Sequence, residues 1–353
     1  MTIAQKITKK VFTTKLNTSA RHNRCALLSR FIIAVAMSCG SAAFAATSAW
    51  KPERAVEFVI PATSGGGQDR TARIIQKILQ DEVALGMPIN IVNKGGGGGN
   101  IAYSYLQQFK GDGHYIATAT PSLVTNFILG VSPISHTDFT PVSVLYSEYI
   151  GFAVQADGPI KTGADLLERL KKDPESVTFA FGTSRGNGNH IAAGQLAKLA
   201  GVDVKRVKVV IYKSSIEAVT ALMGGHVTVV PTPTSTYVPV LASGKLRIVA
   251  VASPTRQGGA FAQVPTWKEQ GLDIVVPSFR MLVGPRDMTS AQLAFWDQAF
   301  ARLVKSPEWK KELEENDWDN TYLPSGRSRA FLDEQAQRYR AMLVELGLVK
   351  SAQ

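Results

Sequence analysis

Val56-Glu57-Phe58-Val59-Ile60-Pro61-Ala62-Thr63-Ser64-Gly65-Gly66-Gly67-Gln68-Asp69-Arg70 is the stretch that decides the fold. A β-branched run stops at a proline, passes through a glycine triplet, and opens onto Ile74, Ile75, Ile78, Leu79 and Val83 at helical spacing. Strand, glycine loop and helix together make an anion cradle. Glycine permits positive φ and close approach to a ligand, and the first helical turn leaves N–H donors free at the positive end of the macrodipole. The pattern recurs 30 residues later, where Ile89-Asn90-Ile91-Val92-Asn93-Lys94 runs into Gly95-Gly96-Gly97-Gly98-Gly99-Asn100-Ile101. Two such loops can line one pocket.

Outward from these loops, short β-branched runs alternate with helical patterns, as in βαβ units around parallel sheets. Strands are predicted at 115–120, 177–181, 207–212, 227–230 and 246–252, and helices at 165–172, near 191–200 and up to Gly224-Gly225. From Thr289 the chain reads as nearly all helical, with Trp296, Phe300 and Leu303 on one face and a last helix from about Ser328 to Leu346. Residues 150–154 and 279–283 read as paired crossings between two lobes. The expected domains are therefore 46–150 with 278–353 as a discontinuous lobe 1, and 151–277 as lobe 2.

The amino terminus reads as a signal peptide of residues 1–45: seven Lys or Arg and no acidic residue, an apolar stretch over 31–44, and Ala43-Phe44-Ala45 before the cleavage point. That stretch contains Ser38, Gly40 and Ser41 and falls short of the ~20 apolar residues a spanning helix needs. Without residues 1–45 the chain keeps 32 basic and 28 acidic residues, a formal charge of +4. A nucleic-acid partner is not expected, because that reading needs a basic patch interleaved with aromatics. Cys25 and Cys39 leave with the signal, so neither disulfide nor thiol chemistry is expected beyond it.

Several catalytic and cofactor readings fail on spacing. Neither glycine run fits G-x-G-x-x-G, so no dinucleotide is expected, and His114, His136, His190 and His226 lack metal-ligand spacing. No cofactor and no metal are predicted. Gly182-Thr183-Ser184-Arg185-Gly186 does satisfy G-x-S-x-G between a strand and a helix. A secreted serine hydrolase using Ser184 would still need a distant acid and histidine, and His190 lies only six residues beyond. The protein is not expected to be an enzyme.

Taken in order, these motifs resemble the periplasmic receptors of the tripartite tricarboxylate transporter family, the Bug receptors, from Pro52 to about Leu348. Besides the two glycine loops, similar strings are Asp112-Gly113-His114-Tyr115, Tyr212-Lys213-Ser214-Ser215, Ala221-Leu222-Met223-Gly224-Gly225-His226-Val227 and, most specifically, Val264-Pro265-Thr266-Trp267-Lys268-Glu269-Gln270-Gly271-Leu272. The resemblance implies an α/β, type II periplasmic-binding-protein fold, two lobes joined by a strand hinge with the ligand cleft between them. It also implies a monomer that binds a small organic acid, such as a di- or tricarboxylate or an aromatic acid. Delivery would be to integral-membrane carrier subunits driven by an ion gradient; sensing for a signalling partner is the alternative. Carried over by motif, the ligand residues are Thr63, Ser64, Gly65, Gly66 and Gly67, then Asn93, Gly96, Gly97, Gly98 and Gly99, and from the second lobe Thr183, Ser184, Tyr212, Lys213 and Ser214.

Three charged residues have two readings each. Asp69 either accepts loop N–H bonds and fixes the cradle, or touches a ligand ammonium or hydroxyl. Arg280 stands where the family usually has a small polar residue, and Arg185 lies inside the second-lobe loop. Each arginine either pairs with a distal carboxylate or anchors its own backbone at the surface. Gly95 departs from a common proline, and the loop over 182–190 is about a residue shorter than usual.

Overall fold

The computed structural model describes residues 50–81, 83 and 85–349, so the segment read as a signal peptide lies outside the described residues. The first run is β1 (Val56–Ile60), α1 (Gly67–Asp81), β2 (Ile89–Asn93), α2 (Asn100–Leu106), β3 (Tyr115–Ala119) and α3 (Pro121–Ile128). The long strand β4 (Phe139–Gln155) leads into α4 (Gly163–Lys172), β5 (Thr178–Gly182), α5 (Gly188–Leu199), β6 (Lys208–Tyr212), α6 (Ser215–Met223), β7 (Val230–Pro233) and β8 (Leu246–Val251). Strand β9 (Pro277–Pro285) returns, followed by α7 (Ser290–Leu303), α8 (Pro307–Asn316), β10 (Leu323–Pro324) and α9 (Ser325–Glu345).

β1 pairs in parallel with β2 and β3, and the order β10-β4-β9-β3-β1-β2 makes the first sheet, with β9 antiparallel to β3 and β4. Val56, Phe58, Val59 and Ile60 are all buried, the continuous apolar run expected of a strand covered on both faces. Helix α1 lays Ala72, Ile75, Ile78 and Leu79 against that sheet, and α7 buries Trp296, Phe300 and Leu303 on one face. Helix starts are set by side chains. Thr162 with Asp165, and Thr289 with Gln292, form capping boxes at α4 and α7.

β4 joins the two lobes of this α/β, type II periplasmic-binding-protein fold. Up to Tyr149 it pairs with β9; from Ile150 onward it pairs with β7 and β8. β5 and β6 form a separate parallel pair. The two crossing segments therefore differ from the sequence reading: residues 279–283 pair with 141–147 of β4, not with 150–154, which belong to the next sheet. A strand of 17 residues is long enough to serve two sheets in succession, which equal-length crossings would not allow. β7 also lies further on than 227–230. Pro231 and Pro233 both lie within it, paired with Phe152 and Ile150 of β4. The string around Trp267 is core packing: its buried indole sits edge-on to Phe152 of β4, with centroids 5.0 Å apart.

Candidate functional site

Four helix amino termini converge on one cavity of about 80 Å³. Gly66, Gly67 and Gln68 come from the start of α1, Thr120, Pro121 and Ser122 from α3, Asn187, Gly188 and Asn189 from α5, and Ser214 and Ser215 from α6. Local sequence explains three of these starts. Pro121 occupies the first turn of α3 behind Thr120; Asn187 accepts from His190 N–H, and Ser214 from Glu217 N–H. Each helix start carries roughly half a positive charge, so four of them present about +2 to whatever occupies the cavity. Lys213, Thr183, Thr236, Ser278 and Arg280 complete the wall.

A second, more open cavity of about 440 Å³ lies beside it, between Thr63, residues 95–99 and the end of β6 at Ile211, Tyr212 and Lys213. Ala62, Thr183 and Lys213 line both. The two glycine loops touch, since a Cβ on Gly95 would lie 2.9 Å from Thr63 N. Gly96, Gly97, Gly98 and Gly99 all have positive φ, a run that only glycine tolerates. At Gly98 the loop packs on α3 of its own lobe and reaches the other lobe: a Cβ there would stand 2.6 Å from Asn126 Nδ2 of α3 and 3.1 Å from Ser184 Cβ across the cleft. Gly186 likewise backs onto Leu129, so the lobes meet along this rim.

Of the residues singled out from sequence, Gly66, Gly67, Thr183, Lys213, Ser214 and Arg280 line the smaller cavity, and Thr63, Gly96, Gly97, Gly98, Gly99 and Tyr212 the larger. Thr183 and Lys213 face both. Ser64, Gly65, Asp69 and Asn93 line neither; Ser64 and Gly65 are exposed parts of the first loop, which Asp69 and Asn93 brace. Asp69, 3% exposed, accepts from Gly65 N at 2.9 Å, Asn93 Nδ2 at 2.9 Å and Arg73 Nε at 3.0 Å. Burial pushes its carboxyl up, but these donors outweigh that and hold it below the usual carboxylate range. Arg185 is exposed and lines neither cavity.

Ser184 is 7% exposed and its Oγ has no hydrogen-bond partner among the described residues. His190 does not reach it as a base: its Nδ1 accepts from Gly186 N at 2.9 Å, and burial, with Arg185 nearby, pushes the ring down to about 4. The positive φ at the elbow belongs to Thr183, at +78°.

Arg280 sits on β9 beside fully buried Glu148 of β4. Its Nη1 donates to Ser278 Oγ at 2.8 Å and Phe279 O at 3.2 Å, while Glu148 Oε2 accepts from Ser235 Oγ. Burial works against the guanidinium charge, and Glu148 reverses the balance and raises its pKa. Sequence reading missed Glu148, although an acid within the apolar run Leu145-Tyr146-Ser147-Glu148-Tyr149-Ile150 is an anomaly that demands a buried cation. It also missed the starts of α3 and α5, both signalled by cap residues ahead of a helical pattern.

The fold and this cleft define a two-lobed solute-binding protein. Residues 71–348 match the family model described as tripartite tricarboxylate transporter family receptor, and the chain belongs to that family. A UPF0065 protein of Cupriavidus necator is 29% identical over 304 residues, covering 85% of this chain and 90% of its own. Protein BugT of Bordetella pertussis is 23% identical, covering 84% and 90%. Among solved structures, an adipate-bound Rhodopseudomonas palustris protein superposes with a TM-score of 0.76 at 26% identity, covering 84% of this chain and 98% of its own. Malate-bound MatC from the same organism gives 0.74 at 23%, covering 84% and 99%.

Proposed function

We propose that this protein is a periplasmic receptor that closes its two lobes on a small organic carboxylate and hands it to the membrane carrier of a tripartite tricarboxylate transporter. The convergence of four helix amino termini on one polar cavity carries the reading, because that geometry offers N–H donors and positive potential to an anion, to which Lys213 in the wall adds its charge. A hydrogen bond to a charged group contributes roughly 1.5–3 kcal/mol. About five of them supply the ~8 kcal/mol of a micromolar complex before ordering costs. Family membership and the malate and adipate held by two structural relatives support a carboxylate as the anion. The ligand residues are those of the two cavities, with Asp69 and Asn93 as loop supports. The proposed lobes remain 46–150 with 278–353 and 151–277; β4 changes partners after Tyr149 and β9 begins at Pro277, each within a residue of these bounds.

A thermal-shift screen over organic acids, followed by calorimetric titration, tests this. Gly66→Val, which puts branched carbons at the smaller cavity's wall, and Gly97→Val, which forces a side chain onto φ +57°, are each expected to weaken the best ligand at least tenfold, or about 1.4 kcal/mol. Unchanged affinity in both sinks the two-loop site. Secretion through residues 1–45 predicts that periplasmic protein starts at Ala46, which amino-terminal sequencing reads directly. Since no base reaches Ser184, no esterase activity that disappears in Ser184→Ala is expected.

A further inference from the structure

We propose that a recess at the far end of the second lobe is a further binding site, separate from the cleft between the lobes, where Arg169 holds a short aliphatic monocarboxylate. The site does not depend on what the cleft binds.

The recess, of about 260 Å³, lies where β4 ends at Gln155, β5 begins at Thr178, and the chain turns through Gly225 and His226 after α6. That turn closes one of the strings that resemble the receptor family, yet none of residues 221–227 lines either cavity of the cleft. Helix α6 starts at the cleft with Ser215 and ends beside the recess. Strand β5, at about 3.3 Å per residue, puts roughly 16 Å between Thr178 in the recess and Thr183 in the cleft, so one small acid cannot occupy both. Gly225 has φ +76°, and a Cβ there would stand 3.2 Å from Gln155 Nε2, so glycine lets the turn close up to Gln155.

Arg169 of α4 supplies the charge. It is half-buried, and its Nε donates to Ser176 Oγ at 3.1 Å. Among the described residues no carboxylate pairs with it and neither Nη has a protein acceptor; neither Nη is buried, so the outer edge of the fork is open to a carboxylate. Asp165, Glu168 and Asp173 line a neighbouring recess that shares Arg169, and Asp165 there is taken up by Lys161 N–H and Thr162 N–H. No Asp or Glu lines the 260 Å³ recess, so an anion meets Arg169 from that side. The Gln155 amide and the His226 ring, both without a hydrogen-bond partner among the described residues, stand ready as further donors. Buried Val154, Ile160 and Val227 give the recess an apolar wall, which an alkyl chain covers and inorganic phosphate leaves bare. One unpaired guanidinium matches one negative charge, and no aromatic ring is there to stack on an aromatic acid.

NMR of the whole mature chain carrying isotope-labelled histidine provides the test, with the His226 amide signal identified by its loss in His226→Gln. Butyrate is expected to move that signal saturably, with a dissociation constant in the millimolar range, as one bidentate carboxylate–arginine pair in an open recess supports. Propylamine and inorganic phosphate at the same concentrations should leave it near its starting position. Arg169→Gln should weaken butyrate at this site at least tenfold. Gln155→Glu keeps the shape of the wall, sets a carboxylate beside the ligand's own, and should weaken butyrate as much; it decides the matter if Arg169→Gln does not fold. Gly66→Val, which alters the cleft, should leave the His226 response intact. The proposal is overturned by any of four results: no saturable movement in wild type into the tens of millimolar, a phosphate response as large as that to butyrate, an undiminished butyrate response in Arg169→Gln or Gln155→Glu, or loss of the response in Gly66→Val, which would make it an echo of the cleft passed along α6.

Discussion

Asp69 shows how a buried acid can shape a glycine loop without lining the cavity beside it. Its carboxylate is consumed by Gly65 N–H, Asn93 Nδ2 and half-exposed Arg73, so its charge is spent on shaping the loop. Asp69→Ala strands two of those donors and should cost about 1–3 kcal/mol in chemical denaturation, the exposed arginine adding little. The carboxyl is held below its usual range, so this stability is complete at neutral pH and disappears as pH falls through the folded-state value. His190 acts over a higher window. Burial holds it neutral down to about 4 against an ordinary 6.5, so the unfolded chain takes up a proton first, and stability should drop as pH falls from 6.5 to 4. The full shift corresponds to about 3 kcal/mol. His190→Gln should flatten that slope in thermal melts recorded across the window. If it does not, His190 is not the titrating group.

At the scale of elements, the strand–loop–helix grammar was legible because it is local. The β-branched run, the glycine triplet and the periodic isoleucines of α1 all lie within a short stretch, and each reports on its neighbours. The cleft was legible in half. Gly66, Gly67, Lys213 and Ser214 sit where the loops place them, but Thr120 and Asn187 enter the site only because β3 and β5 deliver their ends to one place, and Glu148 stands behind it, against Arg280, from mid-β4. That delivery is a matter of sheet order and register, to which periodicity is blind. The dual pairing of β4 was hidden for the same reason: nothing in residues 139–155 marks where one partner gives way to the next. Helix α5 offers an element-scale test. Asn187 caps it through His190 N–H and also ties Gly182 O and Thr183 Oγ1. Asn187→Ala should therefore cost about 1–2 kcal/mol of stability and weaken ligand binding, as denaturation and titration on the same preparation would show.

For the whole molecule, the contacts of Gly98 with Ser184, and of Gly186 with Leu129, describe lobes that are shut at the rim. Gly186→Ala would press a methyl into Leu129 at φ +75° and should hold the lobes apart. Small-angle scattering should then show a radius of gyration that contracts on ligand addition in wild type and stays expanded in the variant. The aromatic group behind the hinge offers a second view. Tyr146, directly across the ladder from Arg280, stacks on Trp318 with ring centroids 3.9 Å apart and stands 6.0 Å from Trp309. None of the five tryptophans lines the cavity at the helix starts. The protein thus carries its own optical gauge: a bound acid cannot quench these indoles by touching them, so any change in their emission on binding registers strain passed along β4 and β9.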